Sequence, residues 1–412
     1  MYINYEKIGR ILGFGQEFFY NLKIASNCAY IKNNIKKVKQ RLKHKKQLAV
    51  AFYVYDDSKW KCQSIYDLME KDERFTPYIF VTKNNAPKDN FNYQDAEDVL
   101  KVYNFFKTRN MRVKNAYDIK NQKFIPFEDM TPKPDIIIYQ HPWYVETTQG
   151  PVVCSKFALT YYVPYFISDI DNSIECDLRF HRYIYRYYVP DENTMQSYAL
   201  KMQDKGKKLI VAGHPQLDNY LKKDFEQERK YVIYAPHWTV CGNNLRYSTF
   251  DWNGFKILEF AEKHKELNWV FKPHPCLYNF LFMSGYMSKE QADEYYQRWS
   301  NIGIVHNEGD YIKLFQQSNT LITDSGSFLI EYFFTKQPCI HLVSDSFAGN
   351  QNARDICSTY YNVYNLEEMY RIFEEILINK QDTKKQDRLN LLKKMDYPYS
   401  AEIIINDLGK NL

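Results

Sequence analysis

The sequence lacks several features that would point to whole classes of protein. No apolar run approaches the length that crosses a bilayer, and the first thirty residues show no charged-then-apolar pattern with a small-residue cleavage site, so a cytoplasmic protein is expected. The eight cysteines form no Cys-x-x-Cys pair and keep no even spacing. Cys154 and Cys339 stand beside apolar neighbours, so reduced thiols are expected rather than a disulfide framework. There is no internal repeat, and no stretch has the spacing of a Walker or dinucleotide-binding loop. Acidic residues are missing altogether between Glu17 and Asp56.

Across that gap runs IKNNIKKVKQRLKHKK, residues 31–46, with eight Lys or Arg; without it the chain, whose net charge is +5, would be slightly acidic. Ile31, Ile35, Val38 and Leu42 fall at helical spacing, which predicts a helix with a thin apolar stripe and a broad cationic face. Two readings stay open. One is a segment lying on an anionic membrane, placing the protein peripherally on the inner face of the plasma membrane; the other is a solvated lead-in helix. The rest of the chain has no basic surface interleaved with aromatics, so no nucleic-acid partner is expected. The 37 Tyr and 27 Phe fit a protein that handles ring-bearing polar ligands, and fit a low-GC coding bias better.

At 412 residues the chain is too long for one ordinary core and suits two. From residue 47, β-rich runs alternate with helical patterns: QLAVAFYVY, YIFVT, DIIIYQ and KLIVAG, then, after the charged LKKDFEQERK, KYVIYAP, NWVFKP, GIVHN, TLITD and CIHLV. This is the rhythm of parallel sheets flanked by helices. It predicts an α/β chain of two Rossmann-type domains facing a central cleft: a basic helical segment over 1–46, an acceptor-side domain over 47–220, and a nucleotide-donor domain over 221–412 that includes the closing helices.

Ligands of open α/β sheets bind beyond the carboxyl ends of the strands, so those ends select the candidate residues. TDSGSFLIEYFF reads as a strand exit followed by a helix, with Ser325, Gly326 and Ser327 at the helix start, where unpaired amides and the positive dipole end attract a phosphate. The simpler reading is that Asp324 or Ser325 caps that helix. FKPHP holds His274 between two prolines, as a donor to a diphosphate oxygen or a proton carrier, with Lys272 as a second cation. YAPHW repeats the design with His237, although Trp238 suits core packing equally. YQHPW offers His141, placed to take a proton from a hydroxyl if it faces the cleft, or else to orient Trp143. Asp169 and Asp171 form an Asp-x-Asp too short to be specific; no metal and no cofactor are assigned.

The ordered set YQHPW, GHPQLD, YAPHW, FKPHP and TDSGSFLIEYFFTKQPCIHL resembles the CDP-glycerol glycerophosphotransferase family of teichoic-acid primases and polymerases, from about residue 47 onward. The last motif carries most of the likeness, through Thr323, Asp324, Ser325, Ser327, Glu331, Lys336 and Pro338. The chain departs from the family pattern at His141-Pro142-Trp143, where Trp-His-Gly-Thr-Pro is common, at Gln216, where Arg is usual, and at Glu331, where Asp is frequent. No cation follows Trp238. The resemblance implies a GT-B-like fold and transfer of a polyol phosphate, glycerol phosphate first, from a CDP-activated donor to a polysaccharide or lipid-linked hydroxyl, with release of CMP. It implies His141 as the base, His274 on the diphosphate, Ser325, Gly326 and Ser327 on phosphate oxygens, Asp324 beside them, Glu331 on the ribose, and His237 and Lys272 lining the site. Two other readings use the same residues: a GT-B glycosyltransferase or nucleotide-sugar 2-epimerase, and a non-catalytic scaffold of a polysaccharide assembly complex.

Overall fold

The computed structural model describes residues 16–88, 90, 93–167, 176–221, 228–240, 247–307, 311–345, 347–395 and 397–410, with side chains from residue 29. The segment 169–171 therefore lies outside the described residues. The chain forms two compact units, one of residues 1–165, 173–212 and 401–412, the other of residues 166–172 and 213–400.

The first unit is built on β1 (Leu48–Val54), β2 (Phe75–Val81), β3 (Val113–Asn115), β6 (Ile136–Tyr139), β7 (Leu159–Tyr162), β8 (Arg186–Val189) and β9 (Leu209–Val211), with a small hairpin of β4 (Tyr117–Asp118) and β5 (Lys123–Phe124). The seven strands pair in parallel in the order 3-2-1-6-7-8-9. LAVAFYV and IIIY are almost wholly buried, as expected of a parallel sheet covered on both faces. The sequence rhythm did not reveal β7 and β8, which read LTYY and RYYV. Their tyrosines are core residues: Tyr161, Tyr162, Tyr187 and Tyr188 are all buried, so part of the aromatic content builds sheet packing.

The basic segment lies in the helix Gln16–Leu42. Ile31, Val38 and Leu42 are buried against the first unit, and Arg41 donates to the Phe157 carbonyl at 2.6 Å. Lys45 pairs with the buried Asp135 at 2.7 Å, ahead of β6. Most of the apolar stripe is thus consumed by protein packing, with Ile35 half-buried, while Lys32, Lys36, Lys37, Lys43 and Lys46 are exposed.

The second unit contains β10 (Tyr231–Ala235), β11 (Trp269–Phe271), β12 (Ile304–Val305), β13 (Ser318–Thr323), β14 (Cys339–Leu342) and β15 (Tyr361–Val363), parallel in the order 12-11-10-13-14-15. Alternate residues serve opposite faces: Val232, Tyr234 and Ile322 join one core, Ile233, Ala235 and Leu321 the other. In both sheets the strand order therefore reverses beside the first strand, between β1 and β6 and between β10 and β13, where ligands of such sheets bind.

The units differ in extent from the 47–220 and 221–412 expected from sequence. GHPQLD folds into the second unit because the Asp218 carboxylate accepts the Ser400 amide at 2.7 Å. Gly213 there takes a positive φ of 76°, and a Cβ on it would come within 2.5 Å of Ser400 Oγ. From Ala401 the closing helix belongs to the first unit, where Asp407 accepts from the Tyr188 hydroxyl at 2.8 Å. Among the described residues no helix is long and apolar enough to cross a membrane. Cys62, Cys154, Cys176, Cys276, Cys339 and Cys357 are free thiols.

Candidate active site

In the second unit, β13 ends at Thr323, whose hydroxyl donates to the Ala235 carbonyl at 2.6 Å and accepts the Ser325 amide at 3.0 Å. These bonds tie the exits of β10 and β13 together and set the turn before the helix Gly326–Phe333. Asp324 does not cap that helix. One of its oxygens accepts the His237 amide at 2.6 Å, the other the Thr249 amide and hydroxyl at 2.7 and 3.0 Å. Burial lifts its pKa to about 6, opposed by the donors on it. Ser325 occupies the N-cap position without a side-chain cap. The capping interpretation of this turn is therefore not realised by either residue, and the amides of Gly326, Ser327 and Phe328 precede the first helical bond, Leu329 to Ser325 at 3.2 Å. A helix start without a capping side chain is a ready anion site.

Two imidazoles stand at the neighbouring strand ends, His237 after β10 and His274 after β11, with ring centroids 5.3 Å apart. The Thr239 hydroxyl accepts the Tyr247 and Ser248 amides, both at 3.0 Å, and so turns its proton toward His237 Nδ1, also at 3.0 Å. Nδ1 is then an acceptor, and the neutral ring carries its proton on Nε2. His274 reaches the same tautomer another way, Nδ1 accepting the Cys276 amide at 3.1 Å. Desolvation pulls His237 down to about 3, so it is an uncharged donor at neutral pH. Trp238 packs on Phe280, centroids 4.4 Å apart, which gives this exit a wall.

Lys272 is buried, its ammonium 5.3 Å from the Tyr311 ring centroid and 5.9 Å from that of Phe328. Glu331 is buried too, and one of its oxygens accepts Gln216 Nε2 at 2.6 Å and the Tyr311 hydroxyl at 2.7 Å. The structure thus brings His237, His274, Ser325, Gly326 and Ser327 to one end of the second sheet, and engages Asp324 and Glu331 with protein donors beneath it. Tyr311, Thr239 and Thr249 were not picked out from sequence, since nothing local marks a tyrosine or threonine as the partner of a distant carboxylate.

In the first unit His141 follows β6 and is buried with neither ring nitrogen hydrogen-bonded. It lies against Tyr55, ring centroids 3.9 Å apart, and Tyr53, 5.3 Å. Its pKa is held well below the usual imidazole range, by desolvation first and then by the Lys59 cation, against Asp56 and the Trp143 backbone. Tyr55, Asp56 and Lys59 were overlooked in the sequence, although the exit of YVYDD from β1 is the signal that could have found them. Among the described residues no group of three or more His, Cys, Asp or Glu is arranged to hold a metal.

Several solved structures share the fold. An S. aureus MnaA–UDP complex aligns with a TM-score of 0.56 at 12% identity, covering 88% of this chain and 96% of its own. UDP-GlcNAc 2-epimerase from Methanocaldococcus jannaschii aligns at 0.54 and 16%, covering 88% and 99%. The wall teichoic acid polymerase TagF aligns at 0.52 and 12%, covering 97% and 100%. At such identities the likeness is one of fold, and it places the chain among GT-B-like proteins. No curated protein sequence matches it significantly. Residues 34–399, nearly the whole of both units, match the family described as CDP-Glycerol:Poly(glycerophosphate) glycerophosphotransferase, and the chain is an enzyme belonging to that family.

Proposed function

We propose that the enzyme transfers glycerol phosphate from CDP-glycerol to a hydroxyl of a cell-surface polysaccharide or lipid-linked acceptor and releases CMP. The observation that carries this reading is the helix start at Gly326, which has no side-chain cap and is flanked by two imidazoles in the Nε2–H tautomer. The acceptor oxygen attacks the phosphorus that bears glycerol, the bond from that phosphorus to the CMP oxygen breaks, and His141 takes the hydroxyl proton. Charge gathers on the departing CMP phosphate, where the Gly326, Ser327 and Phe328 amides and the His237 and His274 N–H groups are the donors. Phosphoryl transfer needs positioned donors more than covalent chemistry, and this set meets that need.

A thermal-shift panel tests the donor: CMP and CDP should raise Tm while UDP and GDP do not. Uridine selectivity would instead favour a nucleotide-sugar enzyme, a rival supported by the UDP bound in a structure of like fold. Incubation with CDP-glycerol, CDP-ribitol and nucleotide sugars should yield CMP from the first. His141→Ala and His274→Ala should each lower CMP release by about 100-fold or more with the fold retained; near wild-type release would remove those roles.

The exposed Lys32, Lys36, Lys37 and Lys43 support attachment to an anionic membrane chiefly by charge, since the helix Gln16–Leu42 buries Ile31, Val38 and Leu42 of its apolar stripe. Changing all four to Gln should abolish binding to vesicles containing phosphatidylglycerol, and unchanged binding would exclude this face.

A further inference from the structure

A cluster on the first unit remains outside the chemistry above. It sits where β1 and β6 diverge in strand order, so the turn after β1 and the loop bearing His141 leave adjacent strands. Asp56 is fixed by Ser58, whose amide and hydroxyl donate to one carboxylate oxygen at 2.9 and 2.6 Å, while Lys59 Nζ donates to the other at 2.8 Å. The same ammonium stands 4.7 Å from the Tyr55 ring centroid and 5.8 Å from that of Tyr165. Tyr55 in turn packs against His141 with the two rings tilted by 57° and their centroids 3.9 Å apart. Ion pair, aromatic ring and imidazole thus form one packed cluster.

We propose that Asp56 and Lys59 are a paired positioning element that holds Tyr55 against His141 and so keeps the imidazole oriented. The proposal rests on His141 being the base; Asp56 and Lys59 touch no reacting atom in it and act through Tyr55 and the local field. With neither ring nitrogen in a well-formed hydrogen bond and only the Trp143 backbone close by, the orientation of this buried imidazole depends on the groups packed against it. The groups facing it are Tyr53 from β1, Tyr55, Asp56 and Lys59 from the strand exit, and the Trp143 backbone from its own loop; Glu146 and Tyr144, farther along that loop, act on Tyr53 and Tyr55. Lys59 opposes a positive charge on the ring and Asp56 favours it. A close pair of opposite sign nearly cancels at a distance, so each partner should be revealed by deleting the other.

The test is an NMR titration of the His141 imidazole in the intact chain without substrate, its signal assigned by loss in His141→Ala. Lys59→Gln leaves Asp56 alone and should raise the midpoint by about one pH unit or more. Asp56→Asn/Lys59→Gln should return it toward wild type, and Lys59→Arg should leave it unchanged. The acid limb of the kcat/KM profile should move with the midpoint. An unmoved midpoint in Lys59→Gln, or an equal rise in the double variant, would overturn the proposal. If Lys59→Gln fails to fold, Lys59→Met takes its place, and collapse of both while Lys59→Arg folds would make Lys59 a purely structural residue and overturn it equally. Wild-type CMP release from His141→Ala, with the midpoint shifts intact, would instead refute the role of His141 as base.

Discussion

Asp324 receives three hydrogen bonds from protein donors at the second sheet's exit, so its loss should register as instability before it registers as lost binding. Asp324→Ala strands the His237 and Thr249 amides, at about 1–3 kcal/mol for each donor left buried without a partner. Urea denaturation measures this, and a variant within about 0.5 kcal/mol of wild type would show that water replaces the carboxylate. The pH dependence has a definite sign. The folded carboxyl is pushed up to about 6 from the ordinary aspartate value of 3.8, so in that window the unfolded chain ionises first. Stability from this group is therefore present at low pH and is lost as pH rises through about 4 to 6. Asp324→Asn should flatten that part of the stability profile.

At the scale of the element, the helix Gly326–Phe333 lets stability and binding be separated. Ser327→Asp sets a carboxylate on the second residue of the helix, where the dipole stabilises it by about 0.3–1 kcal/mol. The same charge repels a phosphate from the amides. Tm without ligand should stay level or rise while the Kd for CDP increases at least tenfold; unchanged affinity by calorimetry would move the diphosphate away from this turn. The helix Gln16–Leu42 gives a contrasting case. Its exposed lysines contribute charge, but Leu42 is 1% exposed, and Leu42→Ala should cost about 2–4 kcal/mol through the cavity it leaves. A loss under about 0.5 kcal/mol in urea would mean the helix does not hold this packing in solution.

For the molecule as a whole, four buried imidazoles dominate the acid response: His141 is held well below the usual range, His181 and His237 near 3, and His341 near 4, each chiefly by desolvation. The folded forms resist a proton that the unfolded chain accepts near 6.5, so this stability is complete above that pH and is lost as pH falls below it. Asp324 and Asp57, whose carboxyls burial raises, act in the opposite sense but are two groups against four. The urea midpoint should fall between pH 7 and pH 5; a midpoint that holds or rises would mean that these rings open to water before the fold gives way. The shared architecture of epimerase and polymerase shows that two Rossmann-type units alone do not select the reaction, which depends on the groups at the strand exits.

The sequence by itself determined the class of fold and the strand exits that supply the candidate residues, because both are written locally. Alternating apolar and helical patterns mark strands such as β1, β6, β10 and β13, and the residues that follow them, His141, His237, His274 and Ser325 to Ser327, are read off without knowing where the strands lie. Tertiary structure decided what local pattern cannot encode. It put tyrosines into β7 and β8, returned the closing helix to the first unit, and buried most of the stripe of the basic helix, because those are pairings between segments far apart in the chain. It also turned Asp324 toward Thr249 and Glu331 toward Gln216 and Tyr311. A buried carboxylate takes the donors that the fold brings to it, and no sequence motif fixes which those will be.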